Sequence, residues 1–117
     1  MRVLVCGDRY WSNEQCIYER LRNLEGVTLI IHGGERGADI IAGQEAEKLG
    51  YPVRVFRAHW NRYGRAAGPI RNQQMLDVGR PDFVLAFHNN LKESKGTRDM
   101  VQRASKAGVE VEVCRSL

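Results

Sequence analysis

The residues with the clearest chemical potential are the seven from 33 to 39, Gly-Gly-Glu-Arg-Gly-Ala-Asp, which join an apolar run to a helical pattern. Glycines such as Gly33, Gly34 and Gly37 permit positive φ and let a ligand approach the main chain closely. The free N–H groups at the start of the next helix attract anions, and Arg36 would add a fixed guanidinium. The segment therefore predicts a phosphate site, although a tight turn without a ligand has the same pattern.

Other polar residues near helix starts have both a structural and a functional interpretation. Asp39 is either the N-cap of the second helix or an acceptor for ribose hydroxyls. Thr97 follows Gly96 at another strand-to-helix junction, where it caps the helix or meets a phosphate. Three residues at the end of the first strand either touch the ligand or form a turn: Gly7, Asp8 and Arg9.

The connection from residue 57 to residue 72 contains four arginines and no acidic residue. Trp60 offers an aromatic face on which a base could stack, or else it packs against the edge of the domain. The Gly-Pro pair at 68–69 suits the first turn of a helix and aims Arg71 from that turn, next to Asn72. We therefore expect Trp60, Arg71 and Asn72 to reach the ligand.

These segments connect a regular alternation of apolar strands and amphipathic helices. Strands are predicted at 2–6, 27–31, 53–56, 83–87 and 109–113, and helices from Ser12, Gly37, Pro69 and Thr97 to the glycines at 26, 50, 79 and 108. Such alternation predicts an α/β fold: a Rossmann-like, doubly wound sandwich of about five parallel strands with helices on both faces. Ligands of these sheets bind beyond the C-terminal ends of the strands.

Length and composition restrict the class of protein. The 117 residues, 43% apolar and 27% charged, fit one soluble globular domain over residues 1–117. No apolar run reaches the roughly 20 residues that span a bilayer, and no signal-peptide layout precedes the first strand. We therefore expect a cytoplasmic protein with no membrane contact. The three scattered cysteines form no metal-ligand spacing, so we predict neither a metal site nor a cofactor.

The net charge of +4 is concentrated in the four strand-to-helix connections. Residues 7–12, 32–39, 57–71 and 88–99 together hold nine basic and five acidic residues. Their excess equals the net charge of the whole chain, so the remaining residues are neutral in sum. Charge focused at one edge of the sheet favours a small anionic ligand over an extended nucleic-acid footprint.

Four motifs in order resemble the YspA-like branch of the SLOG superfamily, whose Rossmann-like domains are related to DprA/Smf and LOG proteins. The motifs lie at 5–9, 33–39, 68–75 and 95–97. The resemblance implies binding of a nucleotide or a nucleotide-derived ligand. LOG enzymes cleave the N-glycosidic bond of a nucleoside monophosphate with an Arg at a helix start and a Glu in PGGxGTxxE. Arg71 is similar in position to that Arg, whereas Met100 stands at the Glu position beside Asp99.

Three functional hypotheses follow. The favoured one is a sensor or sequestering protein that binds a small nucleotide-derived molecule. The second is a phosphoribohydrolase whose candidate catalytic residues are Arg71, Asp99 and Asp39, because oxocarbenium-like chemistry needs a carboxylate. The third is a DNA-binding module similar to the DprA relatives, with nucleic acid as the less favoured partner. A homo-oligomer stays open.

Overall fold

The computed structural model describes residues 1–116, in which five strands alternate with helices. The strands are β1 Arg2–Gly7, β2 Leu29–His32, β3 Val53–Val55, β4 Phe83–Phe87 and β5 Glu110–Cys114. The α-helices are α1 Glu14–Arg22, α2 Ala38–Lys48, α3 Trp60–Tyr63, α4 Ala67–Asp77 and α5 Gly96–Lys106. Two single-turn 3₁₀ helices lie at Gly64–Ala66 and Leu91–Glu93.

The strands form one parallel sheet in the order β3-β2-β1-β4-β5. β1 and β4 are central neighbours, with Gly7 opposite Phe87 at their C-terminal ends. The connections that leave these two strands diverge, one leading to β2 and the other to β5, so the strand order switches between them. A switch point of this kind leaves a crevice at the C-terminal edge of the sheet. The predicted doubly wound α/β fold is confirmed.

Alternate residues of β1 enter two separate apolar clusters. Val3 and Val5 pack with the buried side chains of α1 and α2, whereas Leu4 and Cys6 pack with those of α4 and α5. A strand that is buried on both faces shows a continuous apolar run rather than alternation. The helices therefore cover both faces of the sheet, as the unbroken apolar run of β1 predicted.

The start of α1 differs from the prediction by one residue. The capping side chain is Asn13 rather than Ser12, and its Oδ1 accepts a hydrogen bond from Cys16 N at 3.0 Å. Asn and Ser cap helices about equally well. The sequence therefore does not decide which of these two adjacent residues is the cap; the path of the loop decides it.

Two further predicted caps are also wrong. α5 begins at Gly96, and Thr97 lies inside its first turn, where its N–H donates to Ser94 Oγ at 3.0 Å. α2 begins at Ala38 with Gly37 in the cap position, so Asp39 lies in the first turn and is not the N-cap. In both helices a glycine lies at the N-terminal end. A nearby side chain then accepts hydrogen bonds from main-chain N–H groups: Ser94 at α5 and Asp39 at α2.

The long connection before α4 contains structure that its polar sequence did not predict. Residues 60–63 form α3, and a 3₁₀ turn leads directly into α4 at Ala67. Trp60 lies against the first turn of α4, because a Cβ on Gly68 would be 3.3 Å from Cη2 of the indole. The aromatic residue is thereby placed next to the helix that carries Arg71.

Gly37 is where the start of α2 meets the turn after β1. Its φ is +83°, and a Cβ there would overlap the carbonyl oxygens of Asp8 and Arg9. Ala38 N donates to Asp8 O at 3.1 Å, which fixes this close approach. The glycine is therefore required both by its backbone conformation and by main-chain packing.

We expect Gly37→Ala to destabilise the protein by several kcal/mol or to prevent folding, because left-handed strain adds to a clash with backbone that cannot move aside. Gly50→Ala is the matched control. Gly50 has φ +81° but has no atom within 4 Å of the added methyl group, so only the strain of about 1–2 kcal/mol remains. Urea unfolding of both variants measures the difference, and equal losses would contradict the packing argument.

Candidate functional site

A cavity of about 710 Å³ lies above the C-terminal ends of β1 and β4, at the switch point of the sheet. Cys6 and Gly7 of β1 and His88 after β4 contribute to its lining, and the first turns of α4 and α5 face it from the side. Ten of the predicted site residues line it: Gly7, Asp8, Arg9, Asp39, Trp60, Arg71, Asn72, Gly96, Thr97 and Asp99. The fold thus brings most of the predicted site residues together in one cavity.

Four predicted residues are not in the lining of this cavity: Gly33, Gly34, Arg36 and Gly37. A Cβ on Gly33 would lie 2.5 Å from Nη1 of Arg71, and one on Gly34 would lie 3.0 Å from Nη1 of Arg57. These glycines therefore admit side chains of the protein itself. Binding of an anion directly on the glycine turn stays a prediction. The packing does not favour it, because protein side chains occupy the space beside these glycines.

Arg36 is exposed and does not line the cavity. Its guanidinium carbon lies 5.6 Å from the centre of the Tyr10 ring, a cation–π contact. Tyr10 itself lines the cavity with 74% of its surface exposed. Tyr10 was not among the predicted site residues, although its place directly after Arg9 in the first loop was the available signal.

Arg71 is the most deeply buried cation of the cavity wall, with 8% of its surface exposed. Nη1 donates to the main-chain oxygens of Gly33 at 2.6 Å and Phe56 at 3.4 Å, and Nε donates to Asn72 Oδ1 at 3.1 Å. Among the described residues no acceptor lies within hydrogen-bonding distance of Nη2, whose nearest acidic oxygen is Glu35 Oε1 at 3.6 Å. Arg71 is thus fixed by hydrogen bonds on one side, whereas on the other side Nη2 makes no hydrogen bond to a described residue and has an ion pair with Glu35.

A chain of hydrogen bonds through Asn72 connects Arg71 to helix α5. Asn72 donates through Nδ2 to Asp99 Oδ2 at 3.0 Å and to Gly96 O at 3.3 Å. Arg103 donates through Nε to the same Asp99 oxygen at 2.8 Å. Asp99 lines the cavity but is engaged by both α4 and its own helix, which is the arrangement of a residue that positions others.

Asp39 is the most deeply buried carboxyl of the cavity wall, with 6% of its surface exposed. Its Oδ2 accepts from Gly33 N at 3.0 Å and from Glu35 N at 3.4 Å. Burial raises the pKa of Asp39 to about 7, against the opposing effects of Arg71 and of the two N–H donors. This carboxyl therefore changes charge near neutral pH.

The start of α5 lines the cavity through Gly96 and Thr97. A Cβ on Gly96 would meet no atom within 4 Å, so its backbone borders open space. Lys95 lines the cavity on the same side. The N-terminus of an 11-residue helix carries partial positive charge, so this side of the cavity suits an anion.

The cavity wall carries both signs of charge. Its basic residues are Arg9, Arg65, Arg71 and Lys95, and its acidic residues are Asp8, Glu35, Asp39, Glu93 and Asp99. The four basic and five acidic residues leave the wall with no positive excess, so the whole excess positive charge of the loops lies outside the cavity. A ligand of this site would need groups that donate hydrogen bonds as well as an anionic group.

Two histidines near the site are held by hydrogen bonds to the main chain, and the nearby Cys6 is buried. His32 and His88 each accept, through Nδ1, a hydrogen bond from the backbone N–H two residues later, both at 2.9 Å. Burial, followed by the charges of Arg57 and Arg71, lowers the pKa of His32 to about 4. Burial raises the pKa of the Cys6 thiol above its usual range. Over residues 1–116 no group of three metal-ligating side chains occurs.

Comparison with a family model identifies the first half of the chain. Residues 1–63 match YAcAr, the YspA, cpYpsA-related SLOG family. This match runs from β1 to the end of α3, so it includes Asp39 and Trp60 and ends before Arg71. No helix in the described part of the chain is long and apolar enough to cross a membrane.

Two known proteins are similar over nearly the whole chain. The gene 61 protein of Mycobacterium phage D29 is 37% identical over 120 residues, which cover 94% of this chain and 93% of the phage protein. The X-ray structure of DNA processing protein A (DprA) from Streptococcus pneumoniae matches with a TM-score of 0.76 at 19% identity. That match covers 96% of this chain and 49% of DprA, so the chain spans about half of DprA and shares its fold.

Replacing Asp39 with Asn tests whether folding raises the pKa of this carboxyl. The wild-type pKa rises from 3.8 to about 7 on folding, so unfolding releases a proton between those pH values. Wild-type stability should therefore fall relative to that of Asp39→Asn as pH rises from about 4 to 7, by up to ~1.4 kcal/mol per pH unit. Urea unfolding of both proteins from pH 4 to pH 8 measures the difference.

Protonation of His32 changes the stability of the protein in the opposite direction to Asp39 over the same pH range. Because its folded pKa is lowered to about 4, it contributes stability that is present above about pH 6.5 and is lost as pH falls. Both proteins contain His32, so the comparison cancels it. Asp77→Asn, at an exposed carboxylate, is the control for charge removal. A difference between wild type and Asp39→Asn that stays constant from pH 4 to pH 8 would contradict the raised pKa.

Proposed function

Because this chain belongs to the YspA, cpYpsA-related SLOG family, we propose that it binds a phosphate-bearing nucleotide or nucleotide-derived small molecule in the cavity above β1 and β4. The resemblance inferred from the four motifs is confirmed at the level of the family and of the Rossmann-like fold. The ligand itself is our proposal, and it rests on the geometry of the cavity wall.

The observation that carries this proposal is the side of the Arg71 guanidinium that is open to the cavity. This cation has 8% of its surface exposed, and burial makes hydrogen bonds to all of its donors favourable. Nη2 makes no hydrogen bond to a described residue and is ion-paired only with Glu35 Oε1, at 3.6 Å. An anionic oxygen in the cavity would complete its hydrogen bonding. Arginine is well suited to this role because its planar fork matches the geometry of phosphate.

Neighbouring groups support an anion at the same place. Arg9 and Lys95 line the cavity from the first loop and from the start of α5. The main chain at Gly96 borders open space at a helix N-terminus. Phosphate bound near Arg71 would thus meet side-chain cations and helix N–H groups together.

The cavity mouth suits a planar base. Trp60 lines the cavity with 51% of its surface exposed, and Tyr10 lies in the first loop. Stacking of a base on an exposed aromatic ring contributes about 1–3 kcal/mol and tolerates different bases. A nucleotide with its phosphate near Arg71 and its base on Trp60 would use both features.

We propose a sensor or sequestering role rather than hydrolysis of the ligand. Position 100 is a buried methionine, and the neighbouring Asp99 is engaged by Asn72 and Arg103. Both contacts are made to Oδ2, and Arg103 is the ion-pair partner of this carboxylate, so Asp99 is suited to positioning Asn72 and through it Arg71. Binding therefore needs fewer assumptions than N-glycosidic cleavage.

The phosphate position is tested by removing one charge inside the cavity and one outside it. Arg9→Ala should weaken AMP binding about 10-fold, because a hydrogen bond to a charged group contributes about 1.5 kcal/mol. Arg36→Ala should change the affinity less than about 3-fold, since Arg36 does not line the cavity. Isothermal titration at 0.15 M salt measures both; Arg71 is not the first choice because its replacement would also disturb the fold.

Adenosine and Arg62→Ala serve as controls for these titrations. Adenosine lacks the phosphate and should bind at least 10-fold more weakly than AMP to the wild type. Arg62, exposed and outside the cavity wall, reports the effect of net charge alone. If AMP, ADP-ribose and NAD all fail to bind at millimolar concentration, the proposed function is wrong. If Arg36→Ala costs more than Arg9→Ala, the phosphate sits on the glycine turn instead.

The base position is tested at α3. Trp60→Ala should weaken AMP binding about 10-fold through lost stacking and should leave the binding of inorganic pyrophosphate unchanged. Tyr63→Ala is the matched control, because Tyr63 lies on the same short helix, is 38% exposed and does not line the cavity. Equal effects of the two variants on AMP, or an equal loss of pyrophosphate, would exclude base stacking on Trp60.

A further inference from the structure

Asp39 presents one carboxyl oxygen without a partner to the cavity. Oδ2 accepts from Gly33 N and Glu35 N, whereas no described residue donates to Oδ1. Over residues 1–116 the one fully enclosed side-chain polar atom without a hydrogen bond is Glu45 Oε2, so Oδ1 of Asp39 is accessible, and Asp39 lines the cavity. A side chain with only 6% of its surface exposed therefore has an acceptor that only a molecule inside the cavity could use.

The position of Asp39 relative to Arg71 is fixed through Gly33. The N–H of Gly33 donates to Asp39 Oδ2 at 3.0 Å, and its carbonyl oxygen accepts from Arg71 Nη1 at 2.6 Å. The two side chains thus lie on either side of one residue, and they form no ion pair within 4.0 Å in the described chain. Oδ1 of Asp39, which has no hydrogen bond, and Nη2 of Arg71, which has only the ion pair with Glu35, can therefore meet neighbouring groups of one ligand.

Chemistry restricts the group that Asp39 would take. An ionised carboxylate accepts hydrogen bonds and repels another anionic oxygen, so the group beside it must be a donor. With the phosphate near Arg71 and the base near Trp60, the part of a nucleotide that lies between them is the sugar. Its hydroxyl groups are donors of the required kind.

We infer that Asp39 Oδ1 accepts a hydrogen bond from a ribose hydroxyl of the bound ligand, which makes the cavity selective for ribonucleotides over deoxyribonucleotides. The inference rests on the proposed nucleotide site and adds the class of sugar to it. A site built around a hydroxyl discriminates strongly against an analogue that lacks it, because the buried acceptor is then left unpaired.

The test compares AMP, GMP, CMP and UMP with their 2′-deoxy and 3′-deoxy counterparts by isothermal titration. At least one deoxy series should bind about 10-fold or more weakly than the ribonucleotides, the fold-change of a lost hydrogen bond to a charged acceptor. If the ribonucleotides bind and neither deoxy series is weaker, this inference is overturned and the proposed function stands. If no nucleotide binds at millimolar concentration, the proposed function fails and the inference fails with it.

Asp39→Asn tests whether this residue is the source of the discrimination. The amide keeps one oxygen for the N–H of Gly33 and presents an NH₂ group, a donor, to the cavity. The ratio of ribonucleotide to deoxynucleotide affinity should therefore fall toward one, because an amide N–H bonds a hydroxyl oxygen more weakly than an ionised carboxylate accepts from a hydroxyl. Glu47→Gln neutralises an exposed carboxylate on the same helix, outside the cavity wall, and should leave that ratio as in the wild type. A ratio that is unchanged in Asp39→Asn, or that collapses in Glu47→Gln as well, would overturn the assignment.

The dependence on pH provides an independent readout. The charged and titratable groups that face Asp39 are Arg71 from α4, Glu35 from the preceding turn and Cys6 from β1. Because the pKa of Asp39 is about 7, the affinity ratio should rise as pH increases through 7 and the acceptor becomes ionised. Titration of the phosphate itself cancels in the ratio. A ratio that falls with pH would mean that the protonated carboxyl donates to the ligand, and would overturn the inference.

Discussion

The buried guanidinium of Arg71 is the interaction on which the architecture of the site depends. A charge removed from water must be surrounded by acceptors, and Arg71 finds them in the main chain at the ends of β2 and β3 and in Asn72. It thereby ties the N-terminal half of α4 to the C-terminal edge of the sheet. Gly33 must lack a side chain because the guanidinium occupies the space that a Cβ would take.

The elements of the fold could be predicted from the sequence because their physical causes are local. The apolar run of β4 was predicted at 83–87, where the strand lies, and helical periodicity found α1, α2, α4 and α5. The cap of α1 was missed because Asn13 and the adjacent Ser12 cap a helix about equally well. The start of α5 at Gly96 was missed because Lys95, the residue before it, makes no side-chain cap. The helix α3 was missed because its four residues show no periodicity that distinguishes them from a loop.

The site was predictable to the extent that topology decides it. Parallel strands bring the loops that follow them to one edge, so Asp8, Asp39, Arg71 and Thr97 were expected near one another and do line one cavity. What the sequence could not give is the reason for each glycine. Gly33 and Gly37 were interpreted as room for a ligand, whereas they admit the Arg71 side chain and the backbone of the first loop. Total charge was similarly uninformative about the wall itself, which mixes both signs.

The contact between Arg71 and the carbonyl oxygen of Gly33 has a consequence for how this site would be recognised in other sequences. Most pairs of touching residues leave a trace as two side chains that change together. Here one partner is a peptide carbonyl, which every amino acid possesses, so there is no second side chain to covary with Arg71. The only mark that the contact can leave at position 33 is the absence of a side chain. Searches that rely on correlated substitutions would therefore pass over the interaction that connects the two halves of the cavity.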